Sequence, residues 1–135
     1  MTEKELIQAA VEMLDKAYVP YSHFPVGAAL ECGDGTVYTG CNIENAAFPC
    51  TICAERAAIF KAVSEGHRTF RRIVVAGRSE KFCVPCGSCR QVMREFCQPD
   101  RFRIILARSH KEYRTYLLEE LLPIGFGPDN LKNEI

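Results

Sequence analysis

The chain has 135 residues, a length typical of one domain, and we expect a single domain over residues 1–135. With 47% hydrophobic and 25% charged residues, the composition is that of a globular protein and excludes intrinsic disorder. Lysine plus arginine and aspartate plus glutamate both number 17, so the formal net charge is zero and disfavours a nucleic-acid partner, which would need an excess of positive charge.

The N-terminal third predicts a helix followed by a β-hairpin. Thr2 and Glu5 form a possible capping box in front of an amphipathic helix that runs to about Tyr18. A loop containing two prolines cannot continue this helix. Two strands then follow, at 26–32 and 36–41, around the turn residues Cys-Gly-Asp-Gly.

The remaining two thirds predict alternating helices and strands. In chain order we expect a helix from Cys53 to Gly66, a strand at 73–77, a helix between Pro85 and Pro99, a strand at 102–107, an edge strand at 113–117, a helical turn at 119–122 and an irregular tail from Gly125.

This order of elements predicts the fold class. The middle of the chain is β-α-β-α-β, which implies parallel pairing in a mostly buried sheet, and the hairpin supplies an antiparallel part. We therefore expect an α/β fold, a three-layer α/β/α sandwich with a mixed sheet of about five strands.

Eight cysteines are the unusual feature of the composition. Residues 1–18 carry charges throughout and lack the apolar segment of a signal peptide. The sequence contains no run of about 18 apolar residues, so we expect no membrane-spanning helix. We therefore expect a cytoplasmic protein without a membrane contact, in which the cysteines are reduced thiols or metal ligands.

Two cysteine clusters lie at the predicted N-termini of two helices. Cys53 begins one helix, and Cys86 and Cys89 begin the next. A helix N-terminus stabilises negative sulfur, and thiolates from two neighbouring helices can share one tetrahedral zinc ion.

The spacing allows either a structural or a catalytic zinc site. A closed structural site would use Cys50, Cys53, Cys86 and Cys89 as a C-x-x-C…C-x-x-C pattern. Glu55 favours a catalytic site instead, because three protein ligands leave a fourth position for water and a nearby carboxylate can take its proton.

The other cysteines have no required role. Cys32, Cys41 and Cys97 are expected to be small buried side chains. Cys50 and Cys83 also fit that description, although either could instead be a zinc ligand.

Several segments together resemble the small cytidine deaminases of pyrimidine salvage, and they do so in order over nearly the whole chain. The segments are PYSHFPVGAAL at 20–30, GCNIENAAF at 40–48, CAER at 53–56, PCGSCRQVMREF at 85–96 and ELLPIGFGPDNL at 120–131. Zinc nucleobase deaminases share His or Cys, then x-Glu, then Pro-Cys-x-x-Cys, in which the glutamate is not a ligand.

This resemblance implies roles for the matching zinc-site residues. Cys53, Cys86 and Cys89 would bind one Zn²⁺ per subunit, Glu55 would carry protons as the catalytic residue, and Arg56 would hydrogen-bond the ligand sulfurs. Considered alone, Arg56 is a solvent-facing helix residue, and Glu55 equally suits the first turn of a helix.

The resemblance also implies a substrate site and an assembly. Asn42 and Glu44 would bind the ribose hydroxyls, Phe24 would lie against the pyrimidine, Ala54 would contact the substrate, and Phe126 would reach across from a neighbouring subunit of a homotetramer. Considered alone, Asn42 also suits a turn and Phe24 a core position. At Phe48 relatives often carry tyrosine, so a hydroxyl contact there is absent.

We therefore expect zinc-dependent deamination of cytidine and deoxycytidine, small nucleosides rather than nucleic acid. Two alternatives remain at this point: a non-enzymatic protein with a closed four-cysteine zinc site, and a sister deaminase that acts on a nucleoside antibiotic.

Overall fold

The computed structural model describes residues 1–132 and contains a five-stranded sheet with helices on both faces. The strands are β1 (Val26–Cys32), β2 (Val37–Cys41), β3 (Phe70–Gly77), β4 (Arg103–Ala107) and β5 (Tyr113–Leu117). The helices are α1 (Glu3–Glu12), α2 (Ala54–Ser64), α3 (Gly87–Phe96), α4 (Leu118–Leu121) and α5 (Pro128–Leu131), with short 3₁₀ helices at Met13–Lys16 and Phe48–Cys50.

The sheet is mixed, with the strand order β2-β1-β3-β4-β5. Within residues 1–132, β3 and β4 are the only strands that pair in parallel, while β1–β2, β1–β3 and β4–β5 are antiparallel. The expected mixed α/β sheet is confirmed, but parallel pairing is confined to one strand pair. The reason is that β1 lies between β2 and β3 and pairs antiparallel with both. β3 therefore does not pair with β2, the strand that precedes it across α2.

The helices form two layers, as the three-layer prediction requires. On one face, Leu6, Ile7 and Ala10 of α1 pack against Val74 and Ile105 of the sheet. On the other face, α2 and α3 cover the second core cluster, which includes Ile59, Met93, Ile73, Val75 and Ile104. The N-termini of α2 and α3 are thereby held on the same side of the sheet.

The first and last predicted segments need correction. The capping box of Thr2 and Glu5 is present, with Glu5 N–H donating to Thr2 Oγ1 over 3.1 Å, but α1 ends at Glu12 and tightens into a 3₁₀ turn before Tyr18. The tail after Gly125 is not irregular throughout, because α5 forms there.

The short helix α5 has a local cause. Pro128 occupies its first position, where no backbone donor is needed, and Gly127 N–H donates to the Asn130 side chain over 2.9 Å. Residues 133–135 lie outside the described part of the chain, and no helix in residues 1–132 has the length and hydropathy needed to cross a membrane.

Gly40 allows an unusually close approach of β2 to α2. A Cβ at this position would overlap the Ala54 carbonyl oxygen and lie 2.8 Å from Ala58 N. Glycine therefore lets the first turn of α2 lie directly on the sheet. Nothing in the sequence around Gly40 indicates this role, because its contact with α2 arises only when the two elements pack together.

Candidate active site

Two helix N-termini bring three cysteines together. Cys53 is the N-cap residue of α2, Cys86 is the N-cap residue of α3, and Cys89 lies in the first turn of α3. Their three Sγ atoms lie within 4.8 Å of one another, and the Cys53–Cys86 separation is 3.9 Å. Two thiolates on one tetrahedral zinc ion stand about 3.8 Å apart, so the donor set fits zinc.

The cysteines outside this trio do not complete a closed site. Among residues 1–132, the metal-competent group around Cys53 contains neither Cys50 nor Cys83. Cys50 is exposed in the 3₁₀ helix that precedes α2, and burial raises the pKa of the half-buried Cys83 to about 12. Cys32, Cys41 and Cys97 are buried, as expected. The arrangement is a three-thiol cluster with room for a fourth ligand.

Cys53 carries the negative charge of this cluster most readily. Hydrogen bonding from Cys89 and then from Arg56 lowers the pKa of Cys53 to about 5. The pKa of Cys89 is raised, because it donates to Cys53 and is buried. The free N–H groups and dipoles of the two helices add to the stabilisation of thiolates at this position.

Arg56 lies one helical turn after Cys53 and faces the cluster. Its Nη2 donates to Cys53 Sγ over 3.2 Å, and the contact raises the arginine pKa. Within the described residues, Arg56 Nε is a buried donor without a hydrogen-bond partner. The position is therefore not the solvent-facing one that the isolated sequence allowed, and the guanidinium still has a donor to offer an anionic site.

Glu55 brings a carboxyl group into the same helical turn. Its side chain is almost fully buried, and burial raises its pKa to about 7. A carboxyl group with this pKa can hold or release a proton near neutrality, which is the property that a proton-transfer group needs.

The loop residues Asn42 and Glu44 organise the chain around 21–26. Glu44 Oε1 accepts from the backbone N–H groups of Tyr21 and Ser22, each over 3.1 Å. Asn42 accepts from Val26 N–H over 2.9 Å and donates to the Phe24 carbonyl over the same distance. Both side chains therefore act in local turn structure, which was the alternative interpretation of Asn42.

Glu44 also lines a surface cavity of about 410 Å³. The other lining residues are Tyr21, Ser22, Asn45, Ala46, Phe48 and Thr51. Hydrogen bonding to Ser22 lowers the pKa of Glu44, so its carboxylate is charged at neutral pH. The cavity walls described here do not include the three cysteines, which lie at the neighbouring helix ends.

The remaining expected substrate residues have different exposures. Phe24 is 41% exposed and Phe126 is 56% exposed, whereas Ala54 is fully buried in the core. The whole Ala54 residue, main chain included, is enclosed between α2 and the sheet, with its carbonyl oxygen facing Gly40. The backbone carbonyl of Phe126 accepts from the Gln91 side chain over 2.8 Å, which leaves its ring outside the protein interior.

His23, between Ser22 and Phe24, is a turn residue that no motif in the sequence marks. Its backbone has φ 58°, a left-handed conformation that is uncommon for a residue with a side chain. Its N–H donates to the Val19 carbonyl over 3.0 Å. Histidine is enriched in this conformation relative to most residues, but the conformation remains uncommon, so the sequence carried little signal for it.

The sequence is similar to those of known proteins over nearly its whole length. Residues 1–105 match the family model described as the cytidine and deoxycytidylate deaminase zinc-binding region. A cytidine deaminase of Sporosarcina psychrophila is 45% identical, over 97% of this chain and 96% of that protein. A cytidine deaminase of Halalkalibacterium halodurans is 43% identical, over 98% of this chain and all of that protein.

Solved structures agree with this relationship. The crystal structure of cytidine deaminase from Burkholderia pseudomallei is similar with a TM-score of 0.88 and 44% identity, covering 93% of this chain and all of that one. The likeness thus extends over fold, sequence and the zinc-binding region. This chain is an enzyme of the cytidine and deoxycytidylate deaminase family.

Proposed function

We propose that the protein deaminates cytidine and deoxycytidine with water, giving uridine and deoxyuridine plus ammonia, as a step in pyrimidine salvage. The observation that carries this proposal is the grouping of three cysteine Sγ atoms within 4.8 Å at two helix N-termini, with the buried Glu55 in the same helical turn. A purely structural site has no use for such a carboxyl group.

Cys53, Cys86 and Cys89 would hold one zinc ion per subunit. When bound, zinc supplies the positive charge that makes a water molecule nucleophilic at neutral pH. Three thiolates outweigh the charge of a divalent ion by one. The two helix N-termini and the Arg56 guanidinium compensate this excess, which supports a role for Arg56 in holding the site together.

Glu55 would move the protons of the reaction. It would take one proton from the attacking water and pass it to pyrimidine N3. It would then move the remaining proton of the new C4 hydroxyl to the 4-amino group, which leaves as ammonia. The burial that brings its pKa to about 7 makes both directions of transfer accessible near neutral pH.

The ribose would be bound at the loop of Asn42 and Glu44. Both backbone bonds to the Glu44 carboxylate end at Oε1, which leaves Oε2 to accept from a sugar hydroxyl. Asn42 has a second amide hydrogen and a second lone pair beyond its two backbone bonds. Phe24, exposed in the segment before β1, would lie against the pyrimidine, and Ala54 would contact the base.

The complete site would be formed in a homotetramer. The exposed ring of Phe126, together with the 84% exposed Phe48, leaves apolar surface that a neighbouring subunit can cover. Phe126 would then reach the site of that neighbour. All eight cysteines are free thiols, which supports a reducing compartment such as the cytoplasm.

The ultraviolet absorbance change on adding cytidine, deoxycytidine, cytosine or a cytosine-containing nucleoside antibiotic tests the substrate class. We expect turnover of both nucleosides and very slow turnover of free cytosine, because a site built for hydroxyl groups discriminates strongly against a ligand that lacks them. Turnover of the antibiotic alone would support the sister deaminase, and equal kcat/KM values for cytidine and cytosine would contradict the ribose site.

Cobalt substitution distinguishes an open site from a closed one. The charge-transfer spectrum of Co²⁺ counts thiolate ligands, and we expect three at the Cys53, Cys86 and Cys89 site. With one Co²⁺ bound per chain, four thiolates would indicate the closed site that includes a further cysteine.

A further inference from the structure

A second group of metal-ligating side chains lies at the opposite end of β1 from the active site. Cys32 ends β1, Asp34 lies in the hairpin turn that follows, and His67 follows the C-terminus of α2. One ligand atom from each side chain lies within 4.8 Å of the other two. The N-terminal end of β1, at Val26, pairs with Gly77 beside Cys83, so about 20 Å of strand separates the two groups.

The backbone holds Asp34 in place. Thr36 N–H donates to Asp34 Oδ1 over 2.9 Å, and Cys32 N–H donates to the Thr36 carbonyl over 2.8 Å. Gly33 N–H donates to the Thr69 carbonyl over 2.8 Å, which ties the hairpin turn to the segment that carries His67. The Asp34 side chain is 61% exposed, so an ion can reach it from solvent.

The C-terminus of α2 holds His67. Gly66 has φ 100°, its N–H donates to the Val63 carbonyl, and His67 N–H donates to the Ala62 carbonyl, each over 3.0 Å. This is the Schellman arrangement, which sets the direction of the chain after a helix. The His67 ring also packs edge-on against Tyr38, with the ring centroids 5.4 Å apart.

The distance between two of these groups leaves room for an ion. His67 Nδ1 and Asp34 Oδ1 are 3.9 Å apart, too far for a hydrogen bond. Nitrogen and oxygen ligands of one tetrahedral zinc ion stand about 3.4 Å apart, so a shift of about half an ångström would let one ion bind both atoms.

The charges near the group favour a divalent cation. A Cys32 thiolate and the Asp34 carboxylate together neutralise a divalent ion, with imidazole as the neutral third ligand. Arg68 does not pair with Asp34, since its Nη1 donates to the Val63 and His67 carbonyls. Glu31, the nearest other carboxylate in sequence, is paired with Arg72 over 2.9 Å.

We propose that Cys32, Asp34 and His67 form a second metal site, which takes a borderline-soft divalent transition-metal ion such as Zn²⁺. Sulfur, imidazole nitrogen and carboxylate oxygen are the ligands that zinc uses in proteins. Bound there, the ion links the β1–β2 hairpin to the end of α2 and stabilises that end of the fold. This site is independent of catalysis at Cys53, Cys86 and Cys89.

Zinc titration of the untagged full-length protein against a chromogenic zinc indicator tests this site. We expect two ions per chain in the wild type and one in Cys32→Ser and in His67→Gln, with Asp34→Asn weakening the second ion at least tenfold. His110→Gln is the matched control, an exposed histidine outside the group, and retains two ions.

Two results would overturn the proposal: a single zinc ion per wild-type chain, or two ions retained in His67→Gln. The His67 side chain is partly exposed and Cys32 is fully buried, so His67→Gln remains informative even if Cys32→Ser fails to fold. With Co²⁺, filling of the second site adds a thiolate charge-transfer band that Cys32→Ser loses. If His67→Gln kept this charge-transfer band with an unchanged affinity for Co²⁺, that result would also contradict the proposed site.

Discussion

Arg56 Nη2 donates to Cys53 Sγ over 3.2 Å, so a cation from the first turn of α2 contacts the thiol of that helix's N-cap residue. The helix itself brings the two side chains together, because residues three apart in sequence lie on the same face of a helix. The helix that presents Cys53 and Glu55 therefore also carries the positive charge that a three-thiolate site needs.

Removing this cation should weaken the zinc site. For Arg56→Ala we expect a 10–100-fold loss of zinc affinity or of kcat, the usual effect of losing a group that hydrogen-bonds a metal ligand. Zinc content after dialysis against a graded chelator, measured together with kcat, gives the answer. Arg101→Ala removes an exposed arginine elsewhere and is the control. Unchanged zinc content and unchanged rates in Arg56→Ala would refute this role.

Replacing Glu55 by glutamine should abolish catalysis without releasing zinc. Glutamine has nearly the same shape but cannot carry the proton, so we expect kcat to fall by roughly 10²–10⁴-fold. Glu65→Gln, at the exposed C-terminal end of the same helix, should retain wild-type activity. Metal analysis and steady-state kinetics of both variants test this, and an active Glu55→Gln enzyme would exclude the proton-transfer role.

The buried Glu55 should also give the zinc-free protein a distinctive pH dependence. Burial raises its pKa from 4.5 to about 7 in the folded chain. Between these values the folded state retains a proton that the unfolded state has released, so the free energy of unfolding falls as pH rises through this window. Glu55→Gln should remove that decrease, which amounts to roughly 3 kcal/mol at most.

Urea denaturation of wild type and Glu55→Gln in the presence of a chelator, across the same pH range, measures this difference. The lowered pKa of Cys53 has the opposite effect, because it makes the free energy of unfolding rise with pH. This contribution is the same in wild type and Glu55→Gln, so it cancels in the comparison. Parallel pH profiles for the two proteins would show that Glu55 is not the source of the dependence.

Glu44 should contribute to binding through the sugar hydroxyls. We expect Glu44→Gln to raise KM for cytidine, because the neutral amide is a weaker acceptor for a hydroxyl group and for the N–H groups of Tyr21 and Ser22. A nucleoside without ribose hydroxyls separates the loss of the sugar contact from the loss of the bonds to the Tyr21 and Ser22 N–H groups. Wild type and variant should differ less on that substrate, whereas an equal loss on both substrates would assign Glu44 to loop structure alone.

Gly40→Ala should displace the helix that carries Cys53. The added Cβ would meet the Ala54 carbonyl and Ala58 N, both main-chain atoms that cannot move independently. We expect a destabilisation of roughly 1–3 kcal/mol and a lower zinc occupancy. Gly87→Ala, at the start of α3, adds a Cβ where nothing lies within 4 Å and should be tolerated. Thermal unfolding and zinc content of the two variants check this contrast.

Much of the secondary structure could be predicted because its signals are local. The strand from Val26 to Cys32 and the two helix starts at Cys53 and Cys86 follow from apolar runs and helix-start residues. The neighbours of β1 could not be predicted in the same way, since pairing depends on contacts distant in sequence. The helix at Pro128 depends on a single cap by Asn130, a signal weaker than hydrophobic periodicity.

In the candidate site, too, features with local sequence signals could be predicted and features that depend on distant contacts could not. The three cysteines were predictable, because each belongs to a C-x-x-C pattern at a helix start. The contact of Gly40 with α2 and the approach of Cys32 to His67 were not, since each depends on how a hairpin packs against a helix encoded elsewhere in the chain.

The central claim is that this chain converts cytidine and water into uridine and ammonia. The most direct test incubates the zinc-loaded protein with cytidine and quantifies both products in the same sample. We predict uridine and ammonia in equal amounts, increasing with enzyme concentration and absent with Glu55→Gln. Zinc-loaded, folded wild-type protein that releases neither product would contradict the assignment.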